Sequence, residues 1–305
     1  LRIIYLYKEI TPDIVHHVAA KPIIYGSIAA KICKIKSVLN APVGLGFVFS
    51  SDTFKARILR PVLKIFFKKF LNSHNGINMR NKVIFENFDD LNYFVEMEAV
   101  KPNYACVIRG AGVKVNFQLS KNKNKRVIPT ISLVARMLKD KGVREFVAAA
   151  RKLNSQKING RFLLVGDIDH SNPSSLDKST LYRWNAEKII EWKGWVKDIE
   201  SILKETDILC LPSYREGLPK ALIEGAAYGL PIVTTDTVGC RDVVKDGVNG
   251  FLVPIKNIDK LANKIYELII DKSLREKMGK ESHKIALTKF ESSIIISQTL
   301  KVYDE

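Results

Sequence analysis

The residues from Ser213 to Glu224 carry the densest set of groups able to do chemistry. They read Ser-Tyr-Arg-Glu-Gly-Leu-Pro-Lys-Ala-Leu-Ile-Glu, with seven residues between Glu216 and Glu224. The stretch follows the apolar run Ile208–Pro212, which reads as a strand. Gly217 permits a close backbone approach, and Pro219 suits the first position of a helix. Free N–H groups at that helix start would face the C-terminal edge of a parallel sheet, where anions bind in open α/β folds. Glu216 is expected in the loop and Glu224 on the second turn, one on either side of a bound phosphate group. The alternative is a solvated helix start with incidental carboxylates. A second set lies in Ala135–Gly142, where Arg136 and Lys141 follow a strand and can approach the same crevice. An arginine fork and a lysine point charge suit a diphosphate. Singly, each reads as routine surface charge on a basic protein.

The elements that must hold these groups follow a βα rhythm. Short apolar runs alternate with segments of 3.6-residue period, the pattern of helices around a parallel sheet. In the first part, Asp13–Val18, Lys82–Phe85 and Ala105–Ile108 read as strands, and Pro22–Lys36 reads as a helix. Lys114–Arg126 has no apolar periodicity and reads as a linker. Beyond it, strands are expected at Ile128–Val134, Arg161–Val165, Ile189–Trp192, Asp207–Leu211 and Pro231–Thr234. Helices are expected over Lys141–Leu153, Leu176–Lys188 and Pro219–Tyr228, then a turn at Gly247–Gly250 and two closing helices.

The chain has 305 residues, 46% hydrophobic and 27% charged, which excludes collagen-like, coiled-coil and largely disordered classes. Lys and Arg outnumber Asp and Glu by 49 to 32, a net charge of +17 that favours an anionic partner. Cys33, Cys106, Cys210 and Cys240 form no C-x-x-C, so neither a zinc ribbon nor a disulfide framework is indicated, and a reducing compartment is expected. No apolar run reaches the ~18 residues of a spanning helix, and the opening residues do not form a signal peptide.

Glu216 and Glu224 match the E-x7-E motif of retaining glycosyltransferases with the GT-B fold, and more narrowly the chain resembles family 4. Supporting stretches are Ala135-Arg136 with Lys141-Gly142, Leu164-Val165-Gly166, Pro212–Pro219 and Gly247–Pro254. Ser50-Ser51-Asp52 after Gly44–Phe47, and Arg109–Val113, are similar to the capsular-polysaccharide and O-antigen subgroup. The resemblance implies an α/β GT-B architecture of two Rossmann-like domains with parallel sheets. They would span 1–110 and 111–305, with the last helix crossing back to the first. It implies that Glu224 binds the ribose hydroxyls of a nucleotide and Glu216 the hydroxyls of the donor sugar. Arg136 and Lys141 would neutralise the diphosphate leaving group, helped by the backbone at Gly217 and Leu218, and the base would rest near Trp195 and Val196. No metal and no cofactor beyond a UDP-sugar donor is implied. The acceptor would be a polyprenyl-diphosphate-linked saccharide.

Two departures from the family pattern stand out. Where relatives carry H-x-H at a first-domain strand end, this chain has His16-His17-Val18. His16 or His17 can line the cleft or serve as ordinary strand residues. The family also opens on a strand and a Gly-rich loop, and two βαβ units of ~30 residues each would fit ahead of Leu1, so the first domain is expected to be incomplete. Asp167-Ile168-Asp169 spells a metal-binding D-x-D but reads as loop, and Gly44-Leu45-Gly46 completes no dinucleotide fingerprint and reads as a turn.

Thr53–Phe85 holds eight Lys or Arg and no acid. Arg57, Arg60, Lys64 and Lys68 recur at helical spacing, with Leu59, Val62, Leu63, Phe66 and Phe70 opposite. Such a helix suits an anionic membrane surface, or it packs its apolar stripe on its own sheet. Nucleic acid is not expected, because no aromatic stacking platform accompanies the cations. The leading expectation is a retaining transferase moving a hexose or N-acetylhexosamine, cytoplasmic and peripherally attached to the inner face of the membrane. The alternatives are a non-catalytic nucleotide-sugar-binding or membrane-associated remnant, and an epimerase or phosphorylase sharing the fold.

Overall fold

The computed structural model describes residues 1–43, 54–71, 80–115 and 128–305. Gly44-Leu45-Gly46, Ser50-Ser51-Asp52 and the linker from residue 116 to Arg126 lie outside the described residues. By its own contacts the chain divides into two units. The first is Leu1–Ala111 with Glu216–Leu218 and Ile295–Glu305; the second is Gly112–Arg215 with Pro219–Ile294.

The first unit runs α1 (Arg2–Ile10), β1 (Ile14–Val18), α2 (Ala20–Cys33), β2 (Ser37–Ala41), α3 (Phe54–Leu71), β3 (Arg80–Phe85), α4 (Phe88–Glu96) and β4 (Ala105–Val107). Among the described residues its sheet is parallel, in the order β1-β2-β3-β4, with Ile14 opposite Ser37 and Val83 opposite Ala105. The rings of Phe67, Phe85 and Phe94 form its core, with the Phe94 centroid 5.1 Å from each of the other two. Strand β2 was not expected, because Asn40 interrupts a short apolar run. It is nonetheless buried there, with its side-chain oxygen 2.9 Å from His17 Nδ1. Helix α4 starts on Asn87 as its N-cap. The Asp90 N–H donates to Asn87 Oδ1 at 2.7 Å.

Helix α3 differs from the expected amphipathic split. Phe67 and Leu71 are buried and Leu63 packs beside them, whereas Leu59, Val62 and Phe66 are exposed together with Ile58 and Ile65. The packing seam is therefore a narrow i, i+4, i+8 line. An apolar surface remains beside Arg57, Lys64 and Lys68.

The second unit carries β5 (Thr130–Val134), α5 (Val143–Ser155), β6 (Arg161–Val165), α6 (Lys178–Ala186), β7 (Glu191–Trp192), α7 (Ile199–Glu205), β8 (Ile208–Leu211) and α8 (Lys220–Ala227). It continues with β9 (Ile232–Thr235), α9 (Cys240–Val243), β10 (Gly250–Val253), α10 (Ile258–Ile270), α11 (Lys272–Lys289) and the start of α12 (Ser292–Asp304). Three helices close the chain where two were expected. Asp271 breaks the run by capping α11, accepting the Leu274 N–H at 2.8 Å. The sheet is parallel, in the order β10-β9-β8-β5-β6-β7. The chain thus builds outward from β5 to β7 and then restarts at β8 on the other side of β5. Between β5 and β8 lies a topological switch point, the place at the carboxyl ends of the strands where open α/β sheets bind their ligands. Among the described residues no helix is long and apolar enough to cross a membrane.

Candidate functional site

The switch point is where the loops that carry Arg136 and Lys141 and the helix that carries Glu224 begin. The loop leaving β5 contains Gly142 at φ +70°, and a β-carbon there would collide with the Pro212 carbonyl beyond β8. Only glycine lets the two loops close to this distance in that conformation. They are then fastened: the Asp140 carbonyl accepts the Tyr214 N–H at 2.9 Å and the Ser213 hydroxyl at 3.1 Å. The Tyr214 hydroxyl donates to Glu145 Oε1 at 2.6 Å. Burial, with the Glu145 carboxylate beside it, pushes this phenol above its ordinary range. Lys141, in the short turn Lys139–Lys141, is held by the same fastening.

The end of β6 is tied in from the other side. Gly166, at φ +132°, has no room for a β-carbon against the Ala135 carbonyl. Its N–H donates to the Gly194 carbonyl at 2.7 Å, and its own carbonyl accepts Trp192 Nε1–H at 2.9 Å. Arg136 is exposed and donates through Nη1 to Asp169 Oδ2 at 2.6 Å. The Ser171 hydroxyl and then Arg136 hold the Asp169 carboxyl below the usual carboxylate range. Asp167-Ile168-Asp169 is loop, as its sequence suggested, and Asp169 serves as a counter-ion. Among the described residues no group of three or more His, Cys, Asp or Glu gathers to hold a metal ion.

Helix α8 leaves β8 at the same edge. Pro219 is its cap residue rather than its first helical residue, and supplies no side-chain acceptor to the first-turn amides. Glu224 lies on the second turn, 22% exposed, with Lys220 Nζ 3.4 Å away. The neighbouring Gly225 lets α8 pack directly on Leu209 of β8. Trp195 is exposed beyond β7, while Val196 packs on Leu163 and Val165. Arg136, Lys141, Trp195 and Glu224 therefore share one sheet edge.

Glu216, Gly217 and Leu218 group instead with the first unit. There the Gly217 carbonyl accepts Asn87 Nδ2–H at 2.8 Å, and the Leu218 N–H donates to the Glu86 carboxylate. His17 is buried in that unit with both ring nitrogens engaged, Nδ1 at 2.9 Å from Asn40 Oδ1 and Nε2 at 2.9 Å from the Tyr7 hydroxyl. A β-carbon at Gly26 would strike its ring. His16 is exposed, with Nδ1 2.9 Å from the Tyr303 hydroxyl. Burial lowers the pKa of both imidazoles; His17 next to it lowers that of His16 further, and the Asn40 hydrogen bond offsets part of the effect on His17.

Asp140, Tyr214 and Asp169 were not legible as site residues. Their roles are long-range hydrogen bonds and an ion pair, which leave no periodic trace. For Asn87 the spacing to Asp90 was a usable signal for an N-cap and a helix start, though not for the contact with Gly217.

A family profile described as "Glycosyl transferases group 1" matches residues 114–285, and one described as "Glycosyl transferase 4-like" matches residues 1–72. The chain is 30% identical to a Campylobacter jejuni protein named N,N'-diacetylbacillosaminyl-diphospho-undecaprenol alpha-1,3-N-acetylgalactosaminyltransferase, over 97% of this chain and 78% of the relative. It is 28% identical to an Escherichia coli protein named UDP-Gal:alpha-D-GlcNAc-diphosphoundecaprenol alpha-1,3-galactosyltransferase, over 88% of this chain and 69% of the relative. Among solved structures, Anabaena HepE in complex with UDP and glucose superposes with a TM-score of 0.81 at 18% identity, covering 100% of this chain and 80% of that one.

Proposed function

This chain belongs to the group 1 glycosyl transferases, and from that membership we propose that it moves a hexose or N-acetylhexosamine from a UDP-sugar to a polyprenyl-diphosphate-linked saccharide, with retention of anomeric configuration, in bacterial surface-polysaccharide synthesis. Its fold class is GT-B, α/β throughout with parallel sheets, as the sequence resemblance implied. The observation that carries the proposal is the fastening of Asp140 to Ser213 and Tyr214. It holds two cation-bearing and amide-bearing loops at the switch point between β5 and β8. Cleaving the bond from sugar to phosphate leaves negative charge on the departing nucleoside diphosphate. Fixed cations at Arg136 and Lys141, and the first-turn amides of α8, stabilise that charge more in the transition state than in the ground state.

In this reading Glu224 takes the ribose hydroxyls and Glu216 the donor-sugar hydroxyls. Trp195 and Val196 flank the base. The names of the Campylobacter and Escherichia relatives support the lipid-linked acceptor, and the Anabaena complex supports UDP. The protein acts at the cytoplasmic face of the membrane, with the exposed apolar and basic surface of α3 against anionic lipid.

Calorimetry with UDP in the presence of EDTA, followed by transfer of radiolabelled sugar from UDP-galactose and UDP-N-acetylgalactosamine to membrane lipid extracts, tests the proposal. Binding that persists in the chelator together with label in the lipid fraction is the expected result. No heat with millimolar UDP from folded protein would sink the site assignment. Binding without transfer to any lipid acceptor would leave a nucleotide-sugar-binding protein.

A further inference from the structure

Strand β3 ends on the fully buried Phe85, and the next two residues meet the loop that carries Glu216. Asn87 is fully buried, with both amide hydrogens and the amide oxygen engaged. Its oxygen accepts the Asp90 N–H at 2.7 Å, and its nitrogen donates to Asp90 Oδ2 at 3.0 Å and to the Gly217 carbonyl at 2.8 Å. The Glu86 carboxylate accepts the Leu218 N–H. Gly110, at φ +66°, closes the other side: a β-carbon there would lie 3.2 Å from the Leu218 side chain and 3.7 Å from Glu86 Oε1. All of these contacts fall within the first unit. The single peptide group joining Gly217 to Leu218 is thus gripped at both its carbonyl and its N–H by two successive side chains.

We infer that Glu86 and Asn87 form a clamp that positions Glu216, with Glu86 as a positioning residue whose charge state sets how tightly the 216–218 backbone is held. The part Glu216 plays toward the donor sugar rests on the function proposed above; the clamp itself does not. The charged groups acting on Glu86 are Asp90 from α4 and Glu216 from the gripped loop. Burial first, then the Asp90 and Glu216 carboxylates, push the Glu86 carboxyl up to about 7, with the Leu218 N–H opposing. Neighbouring carboxylates resist a further negative charge, so Glu86 is held toward its protonated form. Ionising it as the pH rises sets Glu86 and Glu216 in repulsion and loosens the loop.

Amide hydrogen exchange over residues 214–221 in the ligand-free full chain tests the clamp, alongside calorimetry with UDP and with UDP-galactose. In the parent protein, protection at Leu218 is expected to fall about tenfold between pH ~6 and pH ~8.5, the scale of one pKa unit of lost interaction. Glu86→Gln, neutral at every pH, should keep the protection flat, whereas Glu86→Ala should lose it throughout. UDP-galactose affinity should follow the same three patterns while affinity for UDP alone stays unchanged. A pH-dependent fall in Glu86→Gln equal to the parent's, or full protection in Glu86→Ala, overturns the clamp. Should Glu86→Ala fail to fold, the Glu86→Gln profile decides alone. If neither nucleotide binds, the nucleotide-sugar reading fails, and the exchange data still decide the clamp.

Discussion

Arg136 Nη1 lies 2.6 Å from Asp169 Oδ2, so the cation at the candidate diphosphate site already holds a carboxylate on the loop after the neighbouring strand. Any phosphate that recruits Arg136 competes with Asp169. Removing the competitor with Asp169→Asn is expected to tighten UDP binding about two- to fivefold at low salt, the range of an exposed ion pair. The gain should fade with added salt. Calorimetry across a salt series checks it, and weaker binding by the variant would show that Asp169 orients Arg136 for the ligand rather than opposing it.

The two glutamates of the E-x7-E spacing should separate by ligand. Glu224→Ala is expected to weaken UDP itself by about tenfold or more, the cost of losing charged hydrogen bonds. Glu216→Ala should leave UDP unchanged and weaken only the sugar-bearing donor. Equal losses for both ligands in both variants would contradict the division of roles.

Gly142 is the residue on which the fastening of the two loops depends. Gly142→Ala combines a positive φ with a collision against the Pro212 carbonyl, so a loss of ~2 kcal/mol or more is expected. Urea denaturation measures it. A change below experimental error would mean that the loops part without cost.

Acid sensitivity has a named contributor in the second unit. Arg161 grips Glu191 with two hydrogen bonds of 2.8 Å and Glu205 with one of 2.7 Å. The Arg161 guanidinium holds the Glu191 carboxyl down to about 2, below its ordinary 4.5. A depressed folded-state pKa contributes stability that is fully present above about 4.5 and lost as the pH falls toward about 2. Because the pair is partly exposed, ~1 kcal/mol is expected. Arg161→Ala should flatten that acid limb in melting curves. Glu86 acts in the opposite sense, lowering stability as the pH rises from 4.5 through about 7, and Glu86→Gln should remove that slope.

The surface of α3 is testable with vesicles. Arg60, Lys64 and Lys68 changed together to Glu should abolish salt-sensitive binding to anionic vesicles, each cation contributing about 1 kcal/mol near such a surface. UDP affinity should not change. Lys68 also pairs with Glu98 at 2.7 Å, so melting temperature must be followed in parallel. Unaltered vesicle binding by a folded triple variant would exclude α3 as the contact.

The alternation of strands and helices can be read from the residues alone, because it depends on periods of two and 3.6 residues that are visible in any short window. The same reading gives the two-carboxylate spacing, the resemblance to the transferase family and the basic character of α3. It did not reveal β2, where the polar Asn40 is made tolerable by His17 from the adjacent strand and Ser27 from α2. Nor did it show that Phe67 and Leu71 would take the buried side of α3 while Leu59, Val62 and Phe66 stay exposed. Tertiary structure alone decided the order in which strands lie side by side, and with it the switch point between β5 and β8. It likewise decided that Asp140 meets Tyr214, that Arg136 meets Asp169, and that Glu86 and Asn87 take hold of the residues beside Glu216. The physical reason is common to all of these. Local periodicity reports which face of an element is apolar, whereas a hydrogen bond or ion pair between distant residues costs chain entropy and forms only once packing has brought its two ends together.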